Sequence, residues 1–144
     1  MSYLRTKTGE AEPLLAVPIG VVTLTNIADA DNLINFTFPS GKRERYALES
    51  VQATAIVVAS TAGKTTTLTA KRTRGGSTVS TGVVLVLTTA NQDTEGEAAL
   101  STATAGAAEK EFISGDVFTL VASATTQFSQ GTSEIVAYFR RKPY

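Results

Sequence analysis

Along much of this chain apolar and polar residues alternate one by one, the pattern of strands that bury one face. Ile34, Phe36 and Phe38 share a side, with Asn35 and Thr37 on the other. Glu44, Tyr46 and Leu48 oppose Arg45, Ala47 and Glu49; Thr66, Leu68 and Ala70 oppose Thr65, Thr67, Thr69 and Lys71. Ile135, Ala137 and Phe139 alternate with Val136, Tyr138 and Arg140. Two runs, 55–59 and 83–87, are apolar on both sides. They predict central strands covered on each face, by a second sheet or by a neighbouring subunit. Turn residues punctuate the runs: Pro39-Ser40-Gly41, Ala62-Gly63, Gly75-Gly76, Glu95-Gly96, Ser114-Gly115-Asp116 and Gln130-Gly131. The spacing predicts about eight or nine strands. The expected fold class is all-β, an antiparallel β-sandwich of jelly-roll kind.

Helix has little support. Residues 98–111 contain alanines, but Ser101, Thr102, Thr104 and Gly106 oppose a stable helix, so strand is expected to about Thr104 and then a loop. Residues 1–18 show no period and are read as an extended N-terminal arm, with a single sandwich domain over 19–144. No repeat or second domain is visible. Thr and Ser make up 34 of the 144 residues. Branching at Cβ in threonine and valine restricts χ1 and favours pleated surfaces, which reinforces the β reading.

Length suffices for a core without a disulfide or metal staple. Thirteen basic residues balance thirteen acidic ones, so overall charge provides no reason to expect nucleic acid or an anionic membrane as partner. Cysteine and histidine are both absent. That removes disulfides, the commonest zinc ligands, the neutral-pH proton shuttle, and any Ser-His-Asp or Cys-His catalytic set. The apolar stretch 13–22 is short and carries Pro13 and Pro18, so no membrane span is expected. Residues 1–12 mix Arg5 and Lys7 with Glu10 and Glu12, unlike a secretory leader, which points to a product made in the cytoplasm.

The remaining motifs are weak as chemistry. Ala62-Gly63-Lys64-Thr65 resembles the end of a phosphate loop, yet Val58 stands where that loop needs glycine, and a turn is the better reading. Asp29, Asp31 and Asn32 could offer oxygen ligands to calcium, but Leu33 and Ile34 occupy positions a calcium loop gives to Asp or Asn and to Gly. Asp93, Glu95 and Glu97 read as a solvated acidic loop. Three basic clusters (Lys42, Arg43 and Arg45; Lys71, Arg72 and Arg74; Arg140, Arg141 and Lys142) sit at strand ends, where charge blocks edge pairing or meets an acidic partner. No catalytic, cofactor or metal residues are assigned. A carbohydrate-binding sandwich would want a row of aromatics, whereas Tyr3, Tyr46, Tyr138 and Tyr144 are scattered.

The stretch 99–141 is the most distinctive. A Ser/Thr/Ala-rich strand and a loop lead to Ile113-Ser114-Gly115-Asp116-Val117, then a Thr-rich connection, then Ile135-Val136-Ala137-Tyr138-Phe139-Arg140-Arg141. Together with a thin strand at Ile19 to Thr25, this resembles the decoration or cement proteins of tailed-bacteriophage capsids. The resemblance implies a jelly-roll-like homotrimer on the capsid surface. It would clamp neighbouring major-capsid subunits against internal DNA pressure, without cofactor, nucleic acid or membrane. It also implies an arm reaching across capsid subunits, with Tyr3, Leu4, Arg5, Leu14, Leu15 and Val17 as partner contacts. Another phage virion β module, such as a head-fibre base or a tail or baseplate piece, is the neighbouring alternative.

Overall fold

Among the described residues ten strands form, most of them where the alternation falls. The structure, a computed structural model, describes residues 14–39, 44–103 and 107–142. In chain order the strands are β1 (Leu14–Thr23), β2 (Asn32–Thr37), β3 (Arg45–Val57), β4 (Thr65–Arg74), β5 (Ser77–Thr88), β6 (Ala98–Leu100), β7 (Thr102–Ala103), β8 (Glu111–Phe112), β9 (Val117–Thr126) and β10 (Thr132–Lys142). Short 3-10 turns cover Leu24–Asn26 and Ala107–Lys110. Two antiparallel sheets result. One has the order β1-β10-β3-β6, with β8 also on β3; the other runs β2-β9-β4-β5-β7.

The pairings are nested. Leu14 pairs Arg140, Asn35 pairs Thr119, Ala53 pairs Ala99 and Thr67 pairs Val86, each pair enclosed by the one before. The chain is one long hairpin whose tip is the two-residue turn Gly75-Gly76. Both glycines have positive φ, 58° and 81°, which two-residue hairpin turns require and side chains resist. Wrapping this hairpin on itself sets β10 against β3 and β9 against β4, which is the jelly roll.

Alternation decides what lies between the sheets. Val51, Ala53, Ile135 and Ala137 from one sheet meet Leu68, Leu85, Leu87 and Leu120 from the other, all buried. Toward one end the core is aromatic: Phe38, Phe112, Phe118 and Phe139 are fully enclosed, with ring centroids 5.1–6.0 Å apart. At the other end Gly131 is packed so closely that a Cβ would stand 2.9 Å from Leu24 Cδ1 and 3.3 Å from Ala59 Cα. Its carbonyl accepts the Leu24 N–H at 2.9 Å.

Three expectations change. The first sheet begins at Leu14, not at residue 19: Leu14 to Pro18 of the expected arm lie in β1 against β10, and residues 1–13 lie outside the described ones. A bulge between Pro18 and Gly20 interrupts the period there and hides the strand. The run 83–87 buries Val83, Leu85 and Leu87 but leaves Val86 exposed, so only one face is covered within the chain. In the run 55–59, Ala55 and Ala59 point inward while Ile56, Val57 and Val58 are exposed.

Candidate interaction surfaces

Strand register sorts the outward residues into rows. Across the first sheet run Ala16–Tyr138–Ser50, Pro18–Val136–Gln52–Leu100 and Val21–Glu134–Thr54–Ala98. Glu134 is the one carboxylate in those rows. Across the second sheet run Ser123–Thr67–Val86 and Val121–Thr69–Val84–Thr102, with Lys71 one row further on. The middle of each broad face is therefore almost free of charge, and on the first sheet charge returns toward one end in the row Leu14–Arg140–Ala47–Glu111.

Charge collects at the two ends instead. The connections 24–31, 58–64, 89–97 and 127–131 meet at one end. There Asp29, Asp31, Asp93, Glu95 and Glu97, with Glu134 beside them, face Lys64 as the only described cation. Every other described Lys and Arg lies toward the opposite end. A net charge of zero thus conceals a body polarised along its strands, able to orient on a charged partner as it approaches.

The two ends use their charges differently. At the arginine end most arginines are tied to the chain itself: Arg45 to Glu111 at 3.4 Å, Arg140 to Glu49 at 3.2 Å and Arg141 to Glu44 at 3.5 Å. Arg74 forks onto Asp116, Nε to Oδ1 at 2.9 Å and Nη2 to Oδ2 at 2.7 Å. That pairing raises the Arg74 pKa above its ordinary value. Arg72 Nη1 donates to the Glu111 carbonyl at 3.0 Å. Lys42 and Arg43 lie outside the described residues. At the acidic end none of the six carboxylates joins an ion pair among the described residues.

The candidate chemical motifs resolve into turns. Asp29 Oδ1 accepts the Thr125 N–H and Asp31 Oδ2 the Ala28 N–H, both at 2.8 Å, so Asp29 fastens the loop to the end of β9 and Asp31 closes a turn within it. The Lys64 carbonyl accepts the Thr89 N–H and the Lys64 N–H donates to Thr89 Oγ1, and Gly63 adopts φ 85° in the turn before it. Among the described residues no three His, Cys, Asp or Glu gather as a metal set, and no helix is long and apolar enough to cross a membrane.

Tyr46 is the group most shifted within the accessible pH range. Burial comes first, and then donation of its hydroxyl to Glu44 Oε1 at 2.7 Å; together they push its pKa up to about 12. The folded state holds this proton between pH 10 and 12 while the unfolded chain releases it. Its stabilisation is therefore complete below pH 10 and lost as pH rises to 12. Tyr46→Phe is expected to flatten the fall in melting temperature between pH 10 and 12. An unchanged slope would show that Tyr46 does not set alkaline stability.

Of the contact residues expected from sequence, Tyr3, Leu4 and Arg5 lie outside the described residues. Leu14 is 53% exposed and opens the outer face of β1. Leu15 packs partly against the core, and Val17 is buried at 3% exposure, so partner contact through Val17 would require β1 to peel away. The paired arginines, the acidic end and the outward run 56–58 are surface features that residue order alone does not bring together.

The fold defines a jelly-roll domain with few charges at the middle of its broad faces and no assembled catalytic set among the described residues. No protein-family model and no curated protein matches the chain. Among solved structures, its fold is similar to that of a chain in the capsid of Ralstonia phage GP4. The TM-score is 0.55 at 12% identity, covering 99% of this chain and 93% of that one.

Proposed function

We propose that this protein is a non-enzymatic structural component of a tailed-phage virion. In this reading it is a decoration protein that sits on the capsid surface as a homotrimer and clamps neighbouring major-capsid subunits. The observation that carries the reading is a fold matched over nearly its whole length to a chain of a phage capsid. Residue chemistry supports it: without His or Cys the chain lacks the usual catalytic apparatus, while sheet faces with few charges at their middle are suited to packing against neighbours. Repeated around a shell, sites of modest affinity become strong through multivalency. Synthesis is in the host cytoplasm, and neither nucleic acid nor membrane is a partner. Tyr3, Leu4, Arg5 and Leu14 are the contacts assigned to the N-terminal segment. A glycan platform is disfavoured, because Tyr46 is tied to Glu44 within an aromatic cluster and Tyr138 has no aromatic neighbour in its outward row with Ala16 and Ser50.

Added to undecorated shells, the protein is expected to raise their melting temperature and to saturate at a fixed copy number. Light scattering should find a mass near three chains of 15.1 kDa. A strict monomer at micromolar concentration would remove the trimer, and no binding to shells would remove the decoration role.

A further inference from the structure

Ile56, Val57 and Val58 are three consecutive large apolar residues, exposed by 40%, 42% and 36%. Their exposure is built in. Ala55 and Ala59 on either side are buried, and both are hydrogen-bonded to the neighbouring loop. Ala55 N–H donates to the Glu97 carbonyl and Ala55 carbonyl accepts from Gly96; Ala59 N–H donates to the Gln92 carbonyl. Gln92 is itself fully buried, its side chain accepting from Ser133 Oγ and donating to the Asn91 carbonyl. A register shift between Thr132 and Ser133 on β10 faces the same segment. The chain thus rises outward as a short knuckle between two anchored alanines. A bulge that re-aims side chains in this way is a device for presenting them.

The knuckle's surroundings select its occupant. Asp93, Glu95 and Glu97 flank it through the loop just described, and Glu134 stands on β10 opposite Thr54. An apolar centre with a charged rim is the anatomy of a protein docking site. Here the rim is acidic and makes no ion pair within the described chain. We propose that this end is the docking end, and that the knuckle seats in an apolar spot ringed by Lys and Arg on a partner protein. Resting on the capsid reading, this makes the acidic end a contact with the shell in addition to Leu14, which lies at the other end beside Arg140. Because the knuckle is held by backbone bonds at both ends, docking orders little that was free, which favours affinity.

The test is binding of the full chain to undecorated shells across a salt series, with three variants. Ile56→Ser with Val58→Ser is expected to weaken binding by about tenfold or more, as loss of a central apolar anchor does. Asp93→Asn with Glu95→Gln should weaken it several-fold and flatten its salt dependence. Val86→Ser, equally exposed on the opposite sheet, should bind as the parent does. Thermal unfolding of each variant confirms that it folds. If the parent binds shells and the first two variants bind equally well, the docking end is wrong while the capsid reading stands. If the parent fails to bind shells, the capsid reading fails, and a Leu/Lys amphipathic peptide becomes the probe. Amide shifts confined to 55–59 and 92–97, weakening with salt, then support the site. Shifts elsewhere or none would overturn it.

Discussion

Replacing Arg74 with alanine is expected to cost about 3–5 kcal/mol, more than replacing the aspartate it holds. Asp116 is the buried partner: its side chain is 2% exposed, against 43% for that of Arg74. The carboxylate accepts both guanidinium bonds and the Ile113 N–H at 2.8 Å. Its backbone carbonyl accepts the Phe38 N–H, so one residue joins the exit of β2, the start of β9 and the end of β4. Without Arg74 a charge is stranded in the interior with a single remaining donor. Without Asp116 the stranded group is an arginine that already reaches water, and Asp116→Ala should cost about 1–3 kcal/mol. The double variant should be more stable than Arg74→Ala alone, a non-additivity that urea unfolding of the four proteins measures directly. Additive losses would mean that the two groups do not act as a pair.

The second large effect lies in the aromatic core. Phe139→Ala is expected to lower stability by about 3–5 kcal/mol, and the melting temperature by roughly 10–20 °C for a domain of this size. Phe139 is fully buried on β10, the strand that carries both β1 and β3. Its ring meets Phe38, Phe112 and Phe118 edge to face at 5.1, 5.3 and 5.2 Å. Removing it opens a void among rings that cannot all move inward, because Phe118 belongs to the opposite sheet. Phe139→Leu keeps most of the volume and loses the edge-to-face geometry, so a smaller loss of about 1–2 kcal/mol is expected. Equal losses for Ala and Leu would show that ring geometry, not volume, governs the site.

Much of this architecture is legible in residue order because the alternation is local. Ile135, Ala137 and Phe139 turn inward as their spacing requires, as do Thr66, Leu68 and Ala70. Gly75-Gly76 and Ser114-Gly115-Asp116 mark true turns, the second because Asp116 caps the Ile113 N–H. The first half of β1 is not legible. A proline tolerated on an edge strand and a bulge at Gly20 together erase the period. Nor are the surfaces legible. Asp29, Glu95 and Glu134 are far apart in sequence and come to one end of the sandwich only through the nested pairing. The basic clusters look available in sequence, but most of their arginines are tied to Glu44, Glu49, Glu111 and Asp116. The apolar run 55–59 reads as a strand covered on both faces, yet nothing in residue order says that the chain itself leaves Ile56, Val57 and Val58 exposed.

We propose that this jelly roll works as a built part of a virus particle. Quantitative mass spectrometry of gradient-purified phage particles, produced from a genome that carries its gene, tests this most directly. The chain is expected in a fixed ratio to the major capsid protein that persists through repeated purification. Its absence from purified particles, or a ratio that falls toward zero with each gradient, would contradict the account.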